Sequence, residues 1–121
     1  MEHTPNPMQA RARGQAGEEA TAVWYVANGY IVLARNWRTR AGEIDLVCAL
    51  PDKSQLVVCE VKSRRTDHLG APAEAVTPAK QARLRRLAAA YLLTSPVRYG
   101  EVRFDVACVL GSTLSVIEGA F

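Results

Sequence analysis

Residues 42–62 read GEIDLVCALPDKSQLVVCEVK, a segment in which two apolar runs flank a polar centre. Strand-forming residues fill positions 42–48 and 55–62, and the Pro-Asp-Lys-Ser sequence at 51–54 favours a turn. The segment therefore predicts an antiparallel hairpin in which Leu50 pairs with Gln55.

The register of this hairpin brings acidic residues together. Asp45 lies opposite Glu60 and Glu43 lies opposite Lys62, and the period-two alternation of strands puts all four side chains on one face. Two carboxylates about 5 Å apart repel by roughly 3 kcal/mol at an effective dielectric constant of about 20. A divalent cation, the Lys62 ammonium, a shared proton or a wider separation would offset this repulsion.

The residue types at this position indicate metal-assisted hydrolysis. Asp45 and Glu60 offer hard oxygen ligands, with the Val61 carbonyl as a third, and these favour Mg²⁺ or Mn²⁺ over Zn²⁺. Such a cation activates water and neutralises phosphoryl charge, and Lys62 on the same face would orient or deprotonate that water. The pattern predicts a phosphodiester hydrolysis site, and the alternative is a solvated polar face of a hairpin.

Composition limits the domain organisation and the compartment. The chain has 121 residues, of which 49% are hydrophobic, so we expect a flexible polar tail at 1–9 and a single domain over 10–121. The apolar runs are too short for a membrane span or signal peptide, which predicts a cytoplasmic protein without a membrane partner. The cysteines stand singly in strand-like runs, as buried thiols do in a reducing compartment: Cys48, Cys59 and Cys108.

The basic residues are mostly arginines, 12 of 15, and the net charge is +3. The planar guanidinium group of arginine suits phosphate oxygens, so basic clusters beside a carboxylate centre predict nucleic-acid contacts. The alternative is that these clusters form ordinary solvated faces. The candidate contacts to DNA are Arg38, Arg40, Arg64, Arg65, Lys80 and Arg83.

Local signals place the remaining elements around the hairpin. Thr77 as N-cap and Pro78 at the first helical position mark the start of a second helix. The order helix, three strands, helix, two strands predicts an α/β fold with a mixed sheet flanked by helices. The other predicted elements are a helix at 10–27 ended by Gly29, a strand at 30–35, and strands at 101–109 and 113–117.

Two helical residues have ambiguous roles. Glu18 heads a partly apolar stripe that includes Ala22 and Tyr25, and is either an ordinary first-turn acid or an acid aimed at a site between helix and sheet. Lys80 lies one turn before Leu84 on the inward side of its helix. Its ammonium group either reaches solvent or points over the sheet edge toward phosphate.

Several motifs in order resemble the YraN-like family of small bacterial proteins. They are GEIDLV at 42–47, CEVK at 59–62, AVTPAKQ at 75–81 and RFDV at 103–106, and the resemblance runs from about residue 11 to the C-terminus. The family is similar to Holliday-junction resolvases and to the PD-(D/E)xK nucleases, which implies a restriction-endonuclease-like αβββαβ core. Ile44 stands where the nominal signature has proline.

This resemblance implies a Mg²⁺-dependent or Mn²⁺-dependent endonuclease-like protein that hydrolyses DNA phosphodiester bonds, on branched or single-stranded DNA. It makes Asp45, Glu60 and Lys62 the signature residues, Glu18 an additional metal or water ligand, and Gln81 a residue that faces the site. It is also compatible with a homodimer. The alternative function is a non-catalytic nucleic-acid-binding or partner-docking module on the same fold.

Overall fold

The structure, a computed structural model, describes residues 7–64 and 76–121. The predicted order of helix, three strands, helix and two strands is confirmed. The elements are α1 (Pro7–Ala27), β1 (Ile31–Thr39), β2 (Gly42–Ala49), β3 (Gln55–Arg64), α2 (Pro78–Thr94), β4 (Glu101–Leu110) and β5 (Thr113–Ile117).

The five strands form one mixed sheet in the order β1-β2-β3-β4-β5. β3 and β4 run parallel and the other neighbours run antiparallel, so α2 supplies the crossover that a parallel pair requires. Apolar side chains cover both faces: Tyr25 of α1 belongs to one core with Leu46, and Leu84 of α2 to the other with Val58. The α/β layer arrangement thus follows from two amphipathic helices on opposite faces.

The predicted hairpin register is correct from Leu46 to Leu50, but the predicted pairs of Asp45 with Glu60 and of Glu43 with Lys62 are not formed in the described strands. β2 and β3 pair from Leu46↔Cys59 to Ala49↔Leu56, and the Leu50 N–H donates to the Gln55 carbonyl at 3.0 Å. Beyond Leu46 and Cys59, the described strands show no further β2–β3 pair, although β3 stays paired with β4 up to its last residue. We call this opening between the two strands, which contains Asp45 and Glu60, the fork.

The ladder on the other side of β2 is interrupted at the same level. Arg35↔Leu46 and Trp37↔Ile44 are paired, whereas Asn36 and Asp45 between them are not. Asn36 has a φ of 51°, a left-handed conformation that asparagine tolerates better than most residues. Asp45 therefore lies where the ladders to both neighbouring strands are broken.

The boundaries of the first helix and first strand differ from those predicted. α1 begins at Pro7 rather than residue 10, since proline is well suited to a first helical turn. Residues 7–9 of the predicted tail are therefore helical, and its residues 1–6 lie outside the described residues. Gly29, with a φ of +92°, follows the helix as predicted. β1 runs on to Thr39 rather than ending at residue 35, because pairing with β2 continues to the tight turn before Gly42.

A buried ionic network fastens α1 and the end of the chain to β4. Asp105 is completely buried and accepts hydrogen bonds from the Tyr25 hydroxyl at 2.6 Å, from Nε and Nη2 of Arg103 at 2.8 Å each, and from the Gly119 N–H at 3.0 Å. Burial raises the pKa of the Tyr25 hydroxyl, and the hydrogen bond to Asp105 raises the pKa of Arg103. The buried carboxylate is therefore fully paired.

The local predictions for α2 and for the cysteines are confirmed. Thr77 is the N-cap and its hydroxyl accepts the Lys80 N–H at 3.2 Å, with Pro78 at the first helical position. The three cysteines are free and buried, and burial raises the pKa of Cys48 to about 12. Neither of the two helices in the described residues has the length and apolar character needed to cross a membrane.

Candidate functional site at the fork

The fork opens into a cavity of about 230 Å³ between the sheet and α2. Asp45 and Glu60, predicted to lie together, both line it. The other residues of its wall are Glu43, Lys80, Arg83 and Leu84.

Asp45 is held by the backbone of the opposite strand. Its Oδ2 accepts the Val61 N–H at 2.8 Å. Burial, and next the charge of Glu60, raise the pKa of Asp45 to about 7, although the Val61 hydrogen bond acts in the opposite direction. Near neutral pH this carboxyl therefore lacks enough positive charge around it to stay fully ionised.

Two ammonium groups lie close to the same carboxylate oxygen of Glu60. Its Oε1 lies 2.7 Å from Nζ of Lys80 and 3.5 Å from Nζ of Lys62. Partial burial and the neighbouring Lys80 lower the pKa of Lys62. Burial has the same effect on Lys80, but its hydrogen bonds to Glu60 and Lys62 outweigh burial and raise its pKa. Lys62 is therefore the lysine that gives up its proton more easily.

Lys62 lies beside Glu60 as predicted, whereas the contact of Lys80 with Glu60 was not anticipated. The sequence did carry a signal, because Lys80 precedes Leu84 by one turn on the buried side of α2. The two interpretations of the sequence placed the ammonium group of Lys80 either in solvent or near phosphate. The structure places it on the carboxylate.

Three other residues are arranged differently from the predicted site. The charge of Glu18 acts on Asp45 and helps raise its pKa, yet among residues 7–64 and 76–121 no three His, Cys, Asp or Glu side chains converge to hold a metal. Glu43 pairs with Arg38 across the β1–β2 ladder, with an ion pair of 3.1 Å, and not with Lys62. Nε2 of Gln81 donates to the Val76 carbonyl at 3.0 Å, so Gln81 holds the entry to α2.

Three of the predicted DNA contacts lie at the cavity or beside it: Arg38, Lys80 and Arg83. Arg83 is part of its wall, and Arg38 lines an adjacent depression. Arg40 is exposed in the β1–β2 turn. Arg64 ends β3, and its buried Nη1 has no hydrogen-bond partner within the part of the chain that the structure describes. Arg65 lies outside that part.

The donor set of the fork suits a hard divalent cation. Asp45 and Glu60 supply carboxylate oxygens, and no cysteine lines the cavity wall. The raised pKa of Asp45 indicates a carboxyl group that lacks positive charge around it, whereas Glu60 already has two ammonium groups close to its Oε1. These residues fit Mg²⁺ or Mn²⁺ better than a soft metal.

Comparison with known proteins identifies relatives over most of the chain. A family model described as "Uncharacterised protein family UPF0102" matches residues 17–109, which include the whole fork. A UPF0102 protein of Acidothermus cellulolyticus is 44% identical over 125 residues, which cover 91% of this chain and 93% of the relative. One of Symbiobacterium thermophilum is 50% identical over 97 residues, which cover 80% of each chain. One of Frankia alni is 49% identical over 98 residues, covering 81% of this chain and 80% of the relative.

Proposed function

The chain belongs to the uncharacterised protein family UPF0102, as its YraN-like motifs predicted, and we propose that it is a Mg²⁺-dependent or Mn²⁺-dependent endonuclease-like hydrolase of DNA phosphodiester bonds. The observation that carries this proposal is the meeting of Asp45 and Glu60 at the fork with Lys62 beside them. The element order also agrees with the restriction-endonuclease-like core that the resemblance implies, and we include that core in the proposal.

Each residue of the fork has a distinct role in this proposal. Asp45 and Glu60 hold the cation, which when bound supplies Lewis-acid stabilisation of phosphoryl charge. Lys62 orients the attacking water and takes up its proton, a role that suits a lysine whose pKa is lowered. Glu18, whose charge reaches Asp45, belongs to the proposal as an additional metal or water ligand, and Gln81 as a residue that faces the site from the start of α2.

The cationic side chains around the cavity would hold the DNA backbone. Arg38, Arg40 and Arg83 are exposed, and their guanidinium groups suit phosphate oxygens. Because phosphate contacts carry no sequence information, the proposed substrate is defined by the shape of the DNA. Branched and single-stranded DNA are the first candidates. A homodimer, which a symmetric branched substrate would favour, remains part of the proposal.

The test is cleavage by purified protein of linear duplex, single-stranded and four-way-junction DNA, with Mg²⁺, Mn²⁺ or EDTA. Asp45→Ala is prepared identically, and Asp52→Ala serves as matched control because Asp52 is an exposed aspartate in the hairpin turn, away from the fork. We expect metal-dependent cutting by wild type and Asp52→Ala and none by Asp45→Ala. Equal cutting by all three proteins would point to a contaminating nuclease and contradict the proposal.

One observation favours the second candidate, a non-catalytic nucleic-acid-binding or partner-docking module. Lys80 and Lys62 already neutralise much of the charge of Glu60, so part of the fork is satisfied by the protein itself. In the same assay, this candidate predicts DNA binding by wild type and Asp45→Ala with no cutting by either protein.

A further inference from the structure

Lys80 reaches Glu60 from the other side of the cavity. Lys62 and Glu60 belong to β3, whereas Lys80 belongs to the first turn of α2. Nζ of Lys80 nevertheless makes the shorter contact, 2.7 Å against 3.5 Å. The side chain of Glu60 is only 7% exposed and that of Lys80 is 31% exposed, so this ion pair is largely shielded from solvent and joins α2 to β3 in the cavity wall.

We propose that Lys80 is a built-in counter-ion of Glu60, that a divalent cation displaces it, and that the released ammonium group then binds a DNA phosphate in the same cavity. This inference rests on the proposed function, since it needs a cation at Glu60 and DNA at the fork. Lys80 is then a positioning residue whose ammonium group binds Glu60 when the cation is absent and a DNA phosphate when the cation is bound.

The first argument concerns competition for Glu60. A cation bound by Asp45 and Glu60 needs an oxygen of Glu60, and the ammonium group at Oε1 would be brought next to a second positive charge. Of the two lysines, Lys80 makes the shorter contact with Oε1. A cation that binds this oxygen must therefore displace a short, charge-assisted hydrogen bond.

The second argument concerns where the released group goes. The backbone N–H of Lys80 is fixed by the Thr77 hydroxyl at 3.2 Å, so only the flexible four-carbon side chain has to move. Arg83, one turn further along α2, lines the same cavity. A phosphate entering there would meet both side chains, and the charge released from Glu60 would stay inside the site.

The exchange links the two ligands thermodynamically. If the cation frees Lys80 for phosphate, the cation raises DNA affinity, and by linkage DNA raises cation affinity by the same factor. Removing the ammonium group should therefore have opposite effects on the two measurements. In a variant without this ammonium group, the cation alone should bind more tightly. The factor by which the cation raises DNA affinity should be smaller than in wild type.

The first experiment titrates Mn²⁺ alone into wild type, Lys80→Met and Arg83→Met, with free Mn²⁺ read by electron paramagnetic resonance. Arg83→Met is the matched control, because it removes one positive charge from the same helix and the same cavity wall. We expect Lys80→Met to bind Mn²⁺ roughly tenfold more tightly, as loss of a competing charged hydrogen bond predicts. We expect Arg83→Met to change the affinity by less than about threefold, through general screening only. Lys80→Gln repeats the test, and thermal unfolding verifies that each variant is folded.

The second experiment measures binding of fluorescent single-stranded DNA with Ca²⁺ or EDTA. Ca²⁺ should raise the affinity of wild type several-fold more than that of Lys80→Met. Equal Mn²⁺ affinity in wild type and Lys80→Met, equal tightening by Arg83→Met, or equal Ca²⁺ enhancement in wild type and Lys80→Met would overturn the inference and leave the proposed function standing. Absence of Asp45-dependent Mn²⁺ binding in wild type and in both Lys80 variants would overturn both.

Discussion

Oδ2 of Asp45 accepts the backbone N–H of Val61 across the fork at 2.8 Å, so a side chain takes the place of a ladder bond where β2 and β3 part. This hydrogen bond fixes the Asp45 carboxylate against the residue that follows Glu60. The backbone of β3 thereby positions the carboxylate of Asp45 on the same strand that carries Glu60.

The pKa of Asp45 predicts a pH dependence of stability. In the unfolded chain this carboxyl titrates at 3.8, and in the folded protein burial and Glu60 raise its pKa to about 7. Between these values the folded state binds more protons, so the free energy of unfolding should fall as pH rises from about 4 to about 7. Asp45→Asn should lack this component. Urea unfolding in EDTA across that range measures both curves, and parallel curves would contradict the assignment.

Loss of the Lys62 ammonium group should separate cleavage from binding. We expect Lys62→Ala to reduce cleavage by roughly 10²–10⁴-fold, the usual contribution of a general base, and to change DNA affinity little. Single-turnover cleavage and fluorescence anisotropy on the same DNA give the two values. Lys53→Ala, at an exposed lysine of the hairpin turn, should match wild type in both. A fall in affinity that accounts for the whole loss of rate would assign Lys62 to binding.

A phosphate-contact role for Arg38 predicts a salt effect. DNA affinity should fall steeply as salt rises, and Arg38→Ala should lower the slope of log affinity against log salt by about 1. Arg98→Ala is the control, because Arg98 is exposed in the segment between α2 and β4 and is not a predicted contact. Binding isotherms at several salt concentrations measure the slopes. An affinity independent of salt would exclude phosphate contacts as the basis of binding.

Gly17 and Gly14 should respond oppositely to substitution by alanine. A Cβ at Gly17 would collide with Oγ of Ser63 on β3, whereas a Cβ at Gly14 has no neighbour within 4 Å among the described residues. We expect Gly17→Ala to lower the free energy of unfolding by about 1–3 kcal/mol through overpacking. Gly14→Ala should raise it by about 0.5–1 kcal/mol through helix propensity. Chemical denaturation of the pair measures both, and a shift of the same sign in both would show that α1 does not pack closely on β3.

The buried Asp105 network should contribute strongly to stability. Asp105→Ala removes the nearer, buried carboxylate partner of Arg103 and leaves only its 3.6 Å ion pair with the exposed Glu118. Breaking a buried pair in this way costs about 3–5 kcal/mol. Tyr25→Phe removes one hydrogen bond to a charged group and should cost about 1.5–3 kcal/mol. Urea unfolding gives both values. A smaller loss in Asp105→Ala than in Tyr25→Phe would be inconsistent with a paired, charged Asp105.

The sequence predicted features whose causes are local. The hairpin register followed from the turn at 51–54 and strand alternation, and the start of α2 followed from Thr77 and Pro78, because each signal lies within a few residues of the structure it specifies. From that register, the proximity of Asp45 and Glu60 followed directly.

Features that depend on distant parts of the chain were not predictable in the same way. The contact of Lys80 with Glu60 requires the crossover that carries α2 over the fork, and the Asp105 network joins residues 80 positions apart in sequence. The left-handed conformation of Asn36 also gave no sequence signal beyond the residue type. Each depends on tertiary packing that no short pattern specifies.

Because the ladders are interrupted beside Asp45, the residues whose pairing stabilises the sheet differ from those that would act in catalysis. Asp45 and Glu60 take no part in the β2–β3 ladder, which runs from Leu46 to Ala49 on β2, while β3 keeps its full pairing with β4. Selection on activity and selection on stability can therefore act on different positions. A chain with this architecture is free to gain, alter or lose a reaction without having to rebuild its fold.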